Sequence, residues 1–188
     1  GITVGGWRLR ATPPAWVTQS PESYRSLIPL TLDALKPAAN ASIWEIGCGI
    51  GALSLPLAGA GYVVHGIDHC AEAIEDARWS AAYAKLETRA YFRAADGRRA
   101  LGEALKDRAK GLPLPRLAII HAMRRPLPNL LYLCSELGVE RLLYLAPSAP
   151  ALARDLVEAP SWALAELHFL DQMPGTAQVM TGALLCHR

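Results

Sequence analysis

The sequence predicts an α/β domain: a doubly wound, mainly parallel sheet that closes in a C-terminal antiparallel hairpin. Three observations carry this. Short apolar runs alternate with helix-length segments from residue 20 onward. A glycine cluster, Gly47-Cys48-Gly49-Ile50-Gly51, stands where the first of these runs passes into a helix. The last two strand-like runs have only a turn between them. Strands separated by helices pair in parallel through right-handed crossovers, and strands joined by a turn pair antiparallel.

Ser20-Pro21-Glu22 opens the first helix with a serine cap, a proline at the first helical position and an acid in the first turn. It runs to about Lys36, where Pro37 stops it. Ser42–Ile46 is a short apolar strand ending at the glycines, Ala52–Ala60 a helix, and Gly61 its C-terminal cap. Tyr62–Ile67 is a strand, Ala71–Ala84 an alanine-rich helix, and Thr88–Arg93 the next strand. Arg98–Lys110 reads as a charged helix and Leu117–His121 as a strand. Leu127–Leu137 is a helix closed by Gly138. Arg141–Ala146 is a strand and Ala151–Glu158 a helix. Trp162–Leu170 and Ala177–Cys186 are the final strands, joined by a Met173-Pro174-Gly175 turn. Five βα units and a terminal hairpin resemble the Rossmann-like, seven-stranded class I methyltransferase domain that binds S-adenosylmethionine (SAM).

The 188 residues are 52% hydrophobic and 19% charged, with a net charge of +2. This suits one domain, with residues 1–40 as an N-terminal extension and first helix and 41–188 as the core. No apolar stretch approaches the ~18 residues that span a bilayer, and the N-terminus lacks a signal peptide's pattern. The expectation is a cytoplasmic protein with no membrane contact. Four cysteines, at 48, 70, 134 and 186, form no CxxC or Cys/His zinc pattern, so neither a disulfide framework nor a metal site is expected. Arginines outnumber lysines fifteen to four, and Arg89, Arg93, Arg98, Arg99, Arg124 and Arg125 fall in two windows. Arginine suits phosphate, yet a pI near 8.4 is weaker than a dedicated nucleic-acid binder's.

Glu45-Ile46-Gly47-Cys48-Gly49-Ile50-Gly51 makes a nucleotide site. Side chains at Gly47, Gly49 or Gly51 would block a ligand's approach to the backbone. Asp68, at the end of the second core strand, is placed to accept hydrogen bonds from ribose hydroxyls. Asp96, after the third, is placed for the adenine end. With Ala52 counted, the pattern also fits a nicotinamide-dinucleotide fingerprint. Glu45 and the end hairpin favour SAM: an acid there can meet the methionyl ammonium, whereas beside a pyrophosphate it would repel.

Leu143–Leu156 (LYLAPSAPALARDL) resembles the VYVSCNPATLARDL stretch of the RNA uracil-5 methyltransferases of tRNA and rRNA. Phe169–Val179 (FLDQMPGTAQV) is similar to that family's FDMFPHTAHVE segment, and Ala71–Ala82 to its EAVEDARxNA helix. Gln19 matches the glutamine of its FxQ motif, which contacts SAM. The resemblance spans nearly the whole chain and implies SAM as cofactor and RNA, rRNA or tRNA, as a substrate class. The family normally carries an RNA-binding domain and a central domain before this region. Here the chain starts almost directly at the SAM-binding domain, as a stand-alone paralogue or an excised domain would. With a net charge of +2 it is poorly equipped to grip RNA alone.

In that family a cysteine adds to uracil C6 and a glutamate later removes the C5 proton. The resemblance lays the cysteine on Pro147, the glutamate on Met180, and the family's DPPR on His121-Ala122-Met123-Arg124. Neither proline nor methionine can do that work, so the uracil mechanism is not expected. Cys134 and Cys186 lie far in sequence from the reacting loops. His121 ends the fourth core strand, where the methyl group should sit, and is a candidate general base; a histidine simply hydrogen-bonded in its loop is the alternative. His65 and His69 read as structural or incidental, and Trp44, Trp79 and Trp162 as packing residues. Three functions stay open: a methyltransferase with altered chemistry on RNA or a small molecule, an inactive module binding RNA or a protein partner, and a nicotinamide-dependent oxidoreductase.

Overall fold

A two-stranded ribbon precedes the predicted alternation. In the computed structural model, which describes residues 1–15, 20–107, 114–122, 128–172, 175–176 and 179–188, β1 (Ile2–Val4) pairs antiparallel with β2 (Trp7–Leu9). Gly5 and Gly6 form the two-residue turn with φ of +55° and +90°, the positive values such hairpins favour. The first residues are therefore more than a plain extension. Gly-Gly between two β-prone triplets is the signal for this ribbon in the sequence.

A 3₁₀ turn, Pro21–Ser23, leads into α1 (Tyr24–Leu35). Lys36 ends it in the left-handed conformation, φ 44°, with Pro37 barring a further helical residue. Then come β3 (Ser42–Ile46), α2 (Ser54–Gly59), β4 (Val63–Asp68), α3 (Ala71–Tyr83), β5 (Ala90–Ala94), α4 (Gly97–Asp107) and β6 (Leu117–His121). The chain finishes with α5 (Pro128–Leu137), β7 (Arg141–Ala146), α6 (Ala149–Val157), β8 (Trp162–Leu170) and β9 (Met180–His187). Every expected element of the core forms; Ser42–Ile46, Leu117–His121, Arg141–Ala146 and Trp162–Leu170 have the expected ends, and the others are shifted. The helix expected over 52–60 starts at Ser54, because Gly51–Leu53 is still a turn. The strand expected over 88–93 runs over 90–94, and the last strand starts at Met180. Residues 108–110 of the charged helix, Leu127, and parts of the Met173–Gly175 turn and final strand lie outside the described residues.

The main sheet has the order β5-β4-β3-β6-β7-β9-β8. Its first five strands are parallel, and β9 alone runs antiparallel, inserted between β7 and β8. Both faces are covered. Leu27, Ile43, Leu55, Val64, Ile74 and Ile119 pack with α1, α2 and α3 on one; Leu101, Ile120, Leu130, Leu142 and Leu152 pack with α4, α5 and α6 on the other. Strands buried on both faces read as continuous apolar runs, which is why LAIIH and RLLYLA are legible. No helix among the described residues is long and apolar enough to cross a membrane.

The order reverses between β3 and β6: β4 and β5 lie to one side of β3, and β6 starts the other half. Open α/β sheets bind ligands at the carboxyl ends of strands beside such a reversal. Gly47 follows β3, and His121 ends β6.

Candidate cofactor site

The glycine loop is held by its neighbour strand. Gly47 and Cys48 both donate backbone N–H to the Ile67 carbonyl, at 2.7 and 3.2 Å, and Gly51 N–H returns to the Cys48 carbonyl at 3.0 Å. Gly47, Gly49 and Gly51 have φ of +82°, +52° and +81°, where side chains are strained. Their surroundings differ. A β-carbon on Gly47 would meet the His121 β-carbon at 3.1 Å, and one on Gly51 the Phe92 ring at 3.1 Å, whereas Gly49 has nothing within 4 Å. Gly47 and Gly51 serve packing, and Gly49 presents bare backbone to open space.

Asp68 ties this loop to the next strand end. One carboxylate oxygen accepts the Gly49 N–H at 2.9 Å and the other the Cys70 N–H at 2.9 Å. A carboxylate has about four acceptor sites, so capacity remains for a ligand hydroxyl. Asp96 sits one strand further out with its side chain 59% exposed. Its Oδ1 accepts the backbone N–H groups of Arg98 and Arg99 at 3.0 and 3.1 Å, so it caps α4. Gln19 lies outside the described residues.

Glu45 is placed differently from the expectation that it faces an ammonium group. It is 1% exposed. Its Oε2 accepts the Ser54 hydroxyl, and its Oε1 lies 2.8 Å from His121 Nε2. The two carboxylate oxygens are thus satisfied within the protein, as burial demands. Its charge also reaches Tyr24 and Cys48. Burial, then Glu45, pushes the Tyr24 phenol up; burial, then Glu45 and Asp68, pushes the Cys48 thiol well up. Burial pushes Cys134 up to about 12. Cys186 pairs with Arg141 at the opposite end of β7.

The two substituted positions meet at the same end of the sheet. Ala146 pairs with Thr181, so Pro147 and Met180 lie one step beyond on neighbouring strands. Ala122, next to His121, donates its N–H to the Leu145 carbonyl at 2.8 Å. Among the described arginines of the two windows, Arg89 bonds the Gly61 carbonyl and Asn40, and Arg93 and Arg99 share Glu103. Arg124 and Arg125 lie outside the described residues. Trp44 is half-buried and Trp162 buried, but Trp79 is 45% exposed and stacked on Tyr83, a departure from the packing role expected of it. No group of three or more His, Cys, Asp and Glu side chains among the described residues could hold a metal ion.

Ser54 and the Glu45–His121 pair had no sequence signal. The partners of Glu45 stand 9 and 76 residues away, and only the loop turn and the β3–β6 pairing bring them together.

No family model matches the chain. It is 32% identical, over 98% of its length and 41% of the relative's, to the 23S rRNA (uracil(1939)-C(5))-methyltransferase RlmD of Pseudomonas aeruginosa. To the 23S rRNA (uracil(747)-C(5))-methyltransferase RlmC of Salmonella arizonae it is 28% identical, over 95% of this chain and 41% of that one. The chain therefore spans about two fifths of the length of the curated relatives it matches. The crystal structure of Pyrococcus abyssi tRNA (uracil-54, C5)-methyltransferase in complex with S-adenosyl-L-homocysteine superposes with a TM-score of 0.75. That match covers 92% of this chain and 40% of the other at 21% identity, and it shows the fold.

Proposed function

From a class I methyltransferase fold and a sequence resembling RNA uracil-5 methyltransferases, we propose that this chain binds SAM and transfers its methyl group to RNA by a route other than the cysteine–glutamate uracil mechanism. The carrying observation is the loop at the sheet reversal. Gly49 leaves bare backbone facing open space, and the Asp68 carboxylate beside it retains acceptor capacity. These residues fit a nucleoside with a ribose diol. The group supplies an electrophilic methyl carbon when bound; Gly47, Gly49, Gly51 and Asp68 would hold it, with Asp96 and Gln19 as further contacts. His121, at the end of β6, stands as the candidate base. The named activities of RlmD, of RlmC and of the archaeal tRNA enzyme support RNA over a small molecule, and an RNA substrate implies a cytoplasmic setting.

Calorimetric titration with S-adenosylhomocysteine tests this reading. The protein binds, and Asp68→Ala weakens binding by about tenfold or more, equivalent to ~1.4 kcal/mol. No binding at millimolar ligand would sink it.

Pro147 and Met180 favour one second reading, an inactive module of this fold that binds RNA or a protein partner. That reading is weaker in one respect: Arg89, Arg93 and Arg99 are engaged within the protein. RNA labelled from radioactive SAM, with label lost in Asp68→Ala, decides against it.

A further inference from the structure

We infer that Glu45 positions His121 as the proton acceptor for methylation of a nitrogen or oxygen atom of an RNA nucleotide. This deepens the methyltransferase reading above and rests on it.

Four observations converge. First, Glu45 is buried, 1% exposed, so that despite its spare lone pairs it faces Ser54 and His121 rather than open space. Second, a carboxylate only accepts hydrogen bonds, so in the neutral imidazole the contact with Glu45 places the proton on Nε2 and the lone pair on Nδ1. Among the described residues the one hydrogen bond of the ring is that of Nε2 with Glu45, which leaves Nδ1 unengaged there, on a side chain 9% exposed. Third, the histidine is held at both ends: Gly47 lies against its β-carbon, the next residue's N–H is tied to β7, and Glu45 holds the ring at Nε2. Fourth, rival groups are disabled. The Cys48 and Tyr24 protons are held tightly by burial and by Glu45 itself. Cys70 caps α3 at the end of β4, separated from His121 by β3.

The chemistry then selects the acceptor. Carbon 5 of uracil becomes nucleophilic only after a nucleophile adds to C6, and Pro147 supplies none. A ring nitrogen, exocyclic amine or hydroxyl needs only to lose a proton. Its lone pair forms the bond to the methyl carbon while the carbon–sulfur bond breaks and leaves its electrons on sulfur. The proton passes to Nδ1, and the imidazolium is stabilised by Glu45, as a carboxylate stabilises the histidine of a hydrolytic triad.

The experiment has three arms on wild type, His121→Asn and Glu45→Gln. Nitrogen NMR of the imidazole should find the proton on Nε2 in the wild type. Calorimetry should find S-adenosylhomocysteine affinity within about twofold in both variants. Methyl transfer from labelled SAM to total bacterial RNA, with nucleosides resolved by mass spectrometry, should give N- or O-methyl products. Their formation should fall about 10²-fold or more in His121→Asn and about tenfold in Glu45→Gln. Thermal unfolding of both variants shows that each is folded; should Glu45→Gln not fold, His121→Asn and the NMR arm decide. The inference is overturned by 5-methyluridine as product, by N- or O-methylation undiminished in His121→Asn, by a proton on Nδ1, or by RNA left unlabelled while S-adenosylhomocysteine binds. A Glu45→Gln variant that loses affinity tenfold while transferring at the wild-type rate would return Glu45 to the ligand. Absence of S-adenosylhomocysteine binding fails the methyltransferase reading instead, and the NMR arm still decides the pairing.

Discussion

At Gly47, φ is +82° and a β-carbon would stand 3.1 Å from that of His121; at Gly49, φ is +52° and the same atom would meet nothing within 4 Å. The two positions should answer differently to alanine. Gly47→Ala combines a left-handed backbone cost of about 1–2 kcal/mol with crowding of His121, and should lose about 2 kcal/mol or more. Thermal unfolding would show this as a Tm lower by roughly 4–8 °C. Gly49→Ala should lose only about 1 kcal/mol while weakening S-adenosylhomocysteine at least about tenfold in calorimetry. Equal losses of affinity at equal stability would contradict this division. The spacing of glycines after an apolar strand announced the loop, but which glycine faces a ligand and which packs on His121 depends on a strand 70 residues further along.

Among the elements, α3 carries the least legible contact. Asp76 is 1% exposed; it accepts the Thr12 N–H at 2.6 Å and the Thr12 hydroxyl at 3.0 Å, and pairs with Arg10 Nε at 2.8 Å. One turn on, Ser80 accepts the Arg10 N–H at 2.9 Å. In the sequence α3 reads as an alanine-rich helix, and nothing local marks these two polar residues, four apart, as buried. They are buried because the chain leaving the β1–β2 ribbon lies across them, which no periodicity within α3 can show. Asp76→Ala should cost about 2–3 kcal/mol, the worth of hydrogen bonds to a charged group, and urea unfolding measures it. Limited trypsin digestion should also cut faster after Arg8 or Arg10. A variant with unchanged stability and unchanged cleavage would mean the ribbon is not anchored there.

Across the whole molecule, β3, β4 and β5 align Trp44, His65 and Tyr91 side by side, with His65 5.9 Å from the indole and 5.2 Å from the phenol ring. Burial lowers the His65 pKa below its ordinary 6.5. The unfolded chain takes up this proton near pH 6.5 while the folded chain resists it until lower pH. Over that window acid favours the unfolded state, and stability falls with pH. Urea midpoints at pH 7.5 and 5.5 should therefore differ more in the wild type than in His65→Phe; an equal difference in both would exclude this contribution. By itself the sequence determined the order of core strands and helices, the glycine turn and the closing hairpin, because alternation, caps and turn residues are local and near-continuous apolar runs mark doubly buried strands. It also displayed Pro147 and Met180 at the two family positions. Only the tertiary structure decided that β9 slots between β7 and β8, that Asp76 is buried, and that Glu45 spends both oxygens on Ser54 and His121. Those outcomes arise where distant segments cross, and a buried charge takes the partners that the packed sheet brings within hydrogen-bonding reach.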